Sequence, residues 1–315
     1  MTIKLVKSFS SPVNSSQAST QANAGQKKLW MAAIKPPMYS VAIMPIALGS
    51  AVAYAESQTF NLPTFLTFVV SAILILAWEN VSNDVFDAET GIDRNKHHSL
   101  VNLTGNKTLI FWIGNLLLTL GILGIVSIAW TQRDFTILGI ILLCCGLGYT
   151  YQGPPFRLGY QGLGEILCFF SFGPLAVAAA YYSQTQTWSV TSLAASVILG
   201  ISTSLILFCS HFHQVADDLA AGKRSPIVRL GTQRSAELLP WVCGSLYALT
   251  LLGVGLGIFP LWTIAIFASL PTAYRLCSHV GKNHNQPDRV NNCKFIAVSL
   301  HFWSGILLCL SFAIG

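Results

Sequence analysis

The chain has 315 residues, 53% of them hydrophobic and only 10% charged, against about 25% charged in an ordinary soluble domain. With a mean hydropathy of +0.58, this shortage of charge excludes a water-soluble globular fold and makes lipid the solvent. The net charge of +6 is no mark of nucleic acid: membrane proteins keep Lys and Arg in cytoplasmic loops for topological reasons, and no basic run here is interleaved with aromatics.

Residues 1–26 are rich in Ser, Gln, Ala and Asn and have no long apolar core. Two readings fit them. One is a disordered cytosolic tail (1–27) ahead of a single domain, 28–315. The other is a short organellar transit peptide, since the stretch is Ser-rich, acid-free and mildly basic. Nine apolar runs follow, near 38–55, 62–82, 108–129, 135–152, 163–182, 189–210, 238–256, 258–276 and 294–314. Each is read as a helix across a bilayer core of about 30 Å. The fourth stops at Gly153, Pro154 and Pro155, and the fifth carries Gly173 and Pro174, a kink signal. The eight cysteines form no CxxC pair and read as small buried apolar residues.

Loop charge supports nine spans with a cytoplasmic N-terminus. On that topology every one of the 18 Lys and Arg except Arg133 falls on the cytoplasmic side, and a wrong helix count scrambles the asymmetry. The expected fold is an all-α integral membrane bundle.

Two polar stretches leave the second and sixth runs on that side: NVSNDVFDAETGIDR at 80–94 and HFHQVADDLAAGKR at 211–224. Asn83, Asp87 and Gly91 align with Gln214, Asp218 and Gly222 at an offset of 131, so the chain reads as two four-helix units plus one helix. On a helix Asn80, Asp84 and Asp87 share a face, and Gln214 pairs with Asp218, with His211 on the same side. Six of the 12 acids sit in these stretches: Asp84, Asp87, Glu89, Asp93, Asp217 and Asp218. Carboxylates converging at a membrane boundary repel one another unless a cation lies among them. Hard oxygen ligands suit Mg²⁺, which binds one or two carboxylates together with substrate phosphates. Lys223, Arg224 and Arg229 beside the acids suit a diphosphate, and positive-inside topology also accounts for them. Gly91 and Gly222 are placed to turn the chain after each helix.

Tyr149 and Tyr151 close the fourth run and point to different faces. They read either as interfacial anchors or as rings that steady a carbocation. His211 and His213 cannot share a helix face, and no HExxH or Cys/His set exists, which argues against zinc or haem.

Asn83-Asp84-x-x-Asp87 with Gly91-x-Asp93 resembles the first aspartate motif of the UbiA superfamily of membrane prenyltransferases. Asp218-x-x-x-Gly222-Lys223, followed by Arg229, Leu230 and Gly231, resembles the second. The spacing is similar to that of the MenA branch, whose members attach an isoprenoid tail to 1,4-dihydroxy-2-naphthoate. Lys35-Pro36 stands where that branch has Arg-Pro, and Gly162-x-Gly164-Glu165 is also familial. The resemblance covers most of 28–314. It implies a nine-helix bundle around a central cavity, with Mg²⁺ ions holding an isoprenyl diphosphate. Asn83, Asp84, Asp87 and Asp218 are then the metal residues, with Asp87 essential to catalysis. Asn80, Lys107, Gln214, Lys223 and Arg229 face the substrates, and Tyr149 stabilises the cation. Gln214 departs from the family's second motif, which has Asp there. Either it holds a water, or Asp217 substitutes for it. The His211-x-His213-Gln214 variant resembles the phototroph members, whose donor is phytyl diphosphate, which implies a plasma or thylakoid membrane. Two rivals stay open: another acceptor, such as homogentisate, 4-hydroxybenzoate or chlorophyllide, and an ion-coupled transporter.

Overall fold

The structure, a computed structural model, describes residues 29–92 and 99–315. The tail 1–27 and Asp93, Arg94 and Lys96 lie outside the described residues. Every regular element among the described residues is a helix. In chain order the main ones are α1 (Ser40–Ser57), α2 (Leu62–Thr90), α3 (Lys107–Gln132), α4 (Thr136–Gln152), α5 (Gly164–Phe170), α6 (Ala176–Thr185), α7 (Val190–Ser210), α8 (Thr232–Gly255), α9 (Leu270–Asn283) and α10 (Cys293–Ile314).

Seven helical segments among the described residues are long and apolar enough to cross a bilayer: Leu29–Ser57, Leu62–Thr90, Lys107–Gln132, Gly164–Thr185, Val190–His213, Thr232–Gly255 and Pro287–Ile314. The other two expected runs differ. The fourth folds as α4, apolar but short. The eighth opens as a 3-10 stretch, Leu261–Ser269, before continuing as α9. Nine crossings are therefore an expectation, of which seven meet the length and apolarity that a bilayer demands.

Local chemistry sets the helix ends. Asn61, Asn106 and Ser189 accept hydrogen bonds from the backbone N–H of Thr64, Leu109 and Ser192, at 3.0, 2.9 and 3.0 Å, and so cap α2, α3 and α7. Pro174 cannot donate to an α-helical ladder, and the expected kink is a π turn, Ser171–Leu175, joining α5 to α6.

Two buried clusters flank the centre. One joins α1, α7, α8 and α10 through Leu48, Val52, Leu199, Leu246 and Leu300. The other joins α2, α3, α4 and α6 through Phe68, Ile125, Ile137 and Ala180. In lipid such packing is held by dispersion and shape rather than by water exclusion. The end opposite the two motifs is tied by Tyr181 donating to Glu56 and Tyr182 donating to Asp134, both at 2.6 Å. The hydrogen bond from Tyr182 holds the Asp134 carboxyl below its ordinary value. Trp130, Trp188 and Trp262 are exposed near that end, as interfacial aromatics are.

Candidate active site

The two polar stretches emerge at the same end of the bundle, on either side of the loop 153–163. α2 stays helical through the first stretch to Thr90, and Gly91 then turns the chain at φ 75°. Gly222 does the same for the second stretch at φ 73°. Both positive angles are strained for a residue with a Cβ. The second stretch departs from a continuous helix. After Ser210 the chain tightens into a 3-10 turn, His211–His213, and Gln214 sits at the break with φ −106°. The α register resumes beyond it, with the Asp218 N–H donating to the Gln214 carbonyl at 2.8 Å. Gln214 and Asp218 keep their spacing, while His211 lies before the break.

The motif acids are buried and partnered. Asp84, 1% exposed, accepts from the Leu100 backbone N–H at 2.9 Å and faces the Lys35 ammonium at 3.9 Å. Asp87 accepts from the Gln152 side-chain amide at 2.7 Å. Asp218, also 1% exposed, accepts from the Ser225 hydroxyl at 2.9 Å. Its Oδ1 has no hydrogen-bond partner among the described residues and lies 3.7 Å from the buried Lys223 ammonium. That ammonium lies 5.9 Å from the Tyr151 ring centre and 6.0 Å from that of Tyr160.

Between these groups and the bilayer interior opens a cavity of about 210 Å³. Asn80 and Asn83 of α2, Ser210 of α7 and Lys294 of α10 supply polar walls, and Leu147, Leu167, Phe172 and Leu207 supply apolar ones. Tyr151 lines this cavity. Tyr149 does not: it is 38% exposed, donates to the Pro154 carbonyl at 2.8 Å and packs edge-on against Phe86. Lys107 also stands apart, paired with Glu89 at 2.8 Å, a carboxylate that Arg157 approaches at 3.5 Å. Arg229 braces two loops, donating from Nε to the Arg224 carbonyl at 3.0 Å and from Nη2 to the Gln161 carbonyl at 2.7 Å.

Sequence reasoning missed several participants. Gln152, Ser225 and Lys294 carry no local signal, because only the docking of distant elements brings them to the site. Glu79, on the cavity wall, was readable as an acid within an apolar run. Tyr160 hydrogen-bonds Thr90 at 2.6 Å. Burial pushes its phenol up to about 12, so it stays neutral.

No three His, Cys, Asp or Glu side chains among the described residues form a ready-made metal cage. The residues nevertheless fit a hard divalent cation shared with a diphosphate. Such a cation needs only one or two protein carboxylates plus phosphate and water oxygens, and the spare Oδ1 of Asp218 is a buried acceptor of that kind.

Residues 42–306 match the UbiA prenyltransferase family. The chain is 58% identical over 282 residues to the 2-carboxy-1,4-naphthoquinone phytyltransferase of Synechocystis sp., covering 90% of this chain and 92% of that one. It is 44% identical over 301 residues to the chloroplastic enzyme of the same name from Arabidopsis thaliana, covering 92% and 78%. Among solved structures, a UbiA homolog from Archaeoglobus fulgidus bound to GPP and Mg²⁺ superposes with a TM-score of 0.63 at 15% identity, over 90% of this chain and 99% of that one. At that identity the likeness concerns the fold alone. The match across nearly the whole helical bundle, and relatives this similar along their length, make the chain a member of the UbiA prenyltransferase family.

Proposed function

We propose that this protein transfers a phytyl group from phytyl diphosphate to 1,4-dihydroxy-2-naphthoate, releasing diphosphate and CO₂. The observation that carries the reading is one cavity lined by Asn80 and Asn83 of the first motif and by Tyr151, whose ring centre lies 5.9 Å from the Lys223 ammonium of the second, in a chain 58% identical to a naphthoquinone phytyltransferase. The relatives' names give the acceptor as the quinone. Attack on an allylic cation calls for an electron-rich ring, which is why the acceptor is written here as the reduced, dihydroxy form.

Asn83, Asp84, Asp87 and Asp218 would hold Mg²⁺, which when bound neutralises diphosphate charge and makes it a better leaving group. Lys223 binds the diphosphate beside Asp218, and Arg229 holds the loops that frame it. The leaving diphosphate keeps the electrons of the broken C–O bond. Tyr151, facing the cavity where Tyr149 does not, steadies the allylic cation with its ring. The acceptor's ring carbon forms the new C–C bond, and the electron pair of its bond to the carboxylate returns to the ring as CO₂ leaves. The apolar walls exclude water, which would otherwise capture the cation. In this reading the motif end faces the cytoplasmic side of a plasma or thylakoid membrane, which the basic residues gathered there support.

The test is direct. Purified protein is incubated with Mg²⁺, 1,4-dihydroxy-2-naphthoate and phytyl diphosphate, and the prenylated, decarboxylated quinol is sought by mass spectrometry. Product that requires all three components supports the reading. Product only with another acceptor or donor keeps prenyl transfer and discards this substrate pair.

A further inference from the structure

Glu79 lies on α2 one turn deeper than Asn83, inside a segment long and apolar enough to cross the bilayer. It lines the cavity described above and also a narrower apolar slot of about 50 Å³ beneath it, walled by Ile46, Phe68, Ile75 and Ile141. An acid at such depth is costly and is ordinarily paired. The other acids at or near the membrane are paired here. Glu56 accepts from Tyr181 and Ser189, and Glu165 faces His211 at 3.1 Å. Asp84, Asp87, Glu89, Asp134 and Asp218 all have the partners given above. Glu79 alone among these makes no hydrogen bond and no ion pair with any described residue.

Its place is nonetheless built. Gly148 of α4 backs the carboxyl so closely that a Cβ there would sit 3.0 Å from the Glu79 Cδ and 3.3 Å from its Cγ. The bundle thus makes room for this side chain while giving it nothing to bind. The missing partner must then come from whatever fills the cavity. The diphosphate is already taken up at the motif end beside Lys223 in the reading above, and an isoprenoid tail has no hydrogen to donate. A hydroxylated aromatic ring has one.

We propose that Glu79 seats the aromatic acceptor, its carboxyl accepting a hydrogen bond from a ring hydroxyl so that the nucleophilic carbon faces the allylic cation. The inference rests on the aromatic prenyl transfer proposed above. With the 4-hydroxyl, the one not adjacent to the carboxylate, on Glu79, the acceptor's own carboxylate is turned toward the polar mouth of the cavity. A site that hydrogen-bonds a substrate hydroxyl strongly rejects analogues lacking it, which makes Glu79 a specificity residue for hydroxylated acceptors.

The test uses the full-length protein in liposomes, comparing wild type with Glu79→Leu, Glu79→Gln and Gly148→Ala. For Glu79→Leu the expected result is an acceptor KM raised about 10- to 100-fold, as for loss of one buried hydrogen bond to a polar partner, with the KM for phytyl diphosphate within about twofold. Glu79→Gln keeps an oxygen acceptor and should recover much of the loss. Gly148→Ala displaces the carboxyl without removing it and should raise the acceptor KM selectively, which keeps the proposal testable if Glu79→Leu does not fold. An acceptor methylated on its hydroxyls should be penalised in wild type but no further in Glu79→Leu. An acceptor KM unchanged in Glu79→Leu, or both KM values rising together, overturns the proposal. If wild type uses a different hydroxylated acceptor, the same comparison is made with it. A wild type active on no aromatic acceptor overturns the function reading itself, a result distinct from an active wild type indifferent to Glu79.

Discussion

Gln152, the last residue of α4, donates its side-chain amide to Asp87 at 2.7 Å, and both are buried. The neutral amide fixes the orientation of this side chain without supplying a charge of its own. Asp87→Asn should therefore reduce transfer by roughly 100-fold or more, as for loss of a charged group acting on the leaving group, while the protein still inserts and folds. Gln152→Leu keeps the charge and loses only the orientation, with an expected loss of about tenfold. Product formation by mass spectrometry, with gel filtration of the same samples, checks both. Full turnover in Asp87→Asn would remove that residue from the site.

The two neighbouring tyrosines should separate cleanly. Tyr151 lines the cavity, and Tyr149 spends its hydroxyl on Pro154 outside it. Replacing Tyr151 with Leu removes a ring facing the developing cation, and the expected fall in kcat is about 10- to 30-fold, in the range of a desolvated cation–π contact. Tyr149→Leu should leave kcat within about threefold. The reverse order would reinstate Tyr149.

Lys107 pairs with Glu89 with nearly half of its side chain exposed. Exposed pairs contribute about 0–1 kcal/mol, and Lys107 does not line the cavity. Lys107→Ala should leave both KM values within about threefold and lower the thermal midpoint only slightly. A large rise in the KM for phytyl diphosphate would restore it to the substrate-binding set.

Removal of divalent cations with EDTA should abolish turnover, and Mg²⁺ should restore it. Lys223→Met should raise the Mg²⁺ concentration needed for half activity and the KM for phytyl diphosphate together, because the ammonium and the metal share one anion beside Asp218. Activity that survives EDTA would remove the metal from the proposal.

The motif helices and their turns were readable because their signals are local. An acid spaced three or four residues from an amide, followed by glycine, fixes a helical face and its end, and Gly91 and Gly222 do turn as expected. The 3-10 break at His211–His213 was hidden, since the same residues suit a continuing helix and the turn packs against Pro287–Val290, a segment distant in sequence. Spacing could say that Tyr149 and Tyr151 diverge but not which one turns inward, because that depends on how α4 docks. Gln152 meets Asp87 across 65 residues, a separation at which a single sequence has no voice.

The loop 153–163 reaches both motifs at once. Tyr160 hydrogen-bonds Thr90 of the first, and the Tyr160 carbonyl accepts from the Arg224 N–H of the second at 2.8 Å. Arg157 and Gln161 extend the grip to Glu89 and Arg229. The two polar stretches thus share one cross-tie at the end of the bundle where the diphosphate is proposed to bind. Loosening any one tie should admit solvent to the proposed site, and the cost would then appear as a leak: donor spilled as free alcohol, with the acceptor untouched.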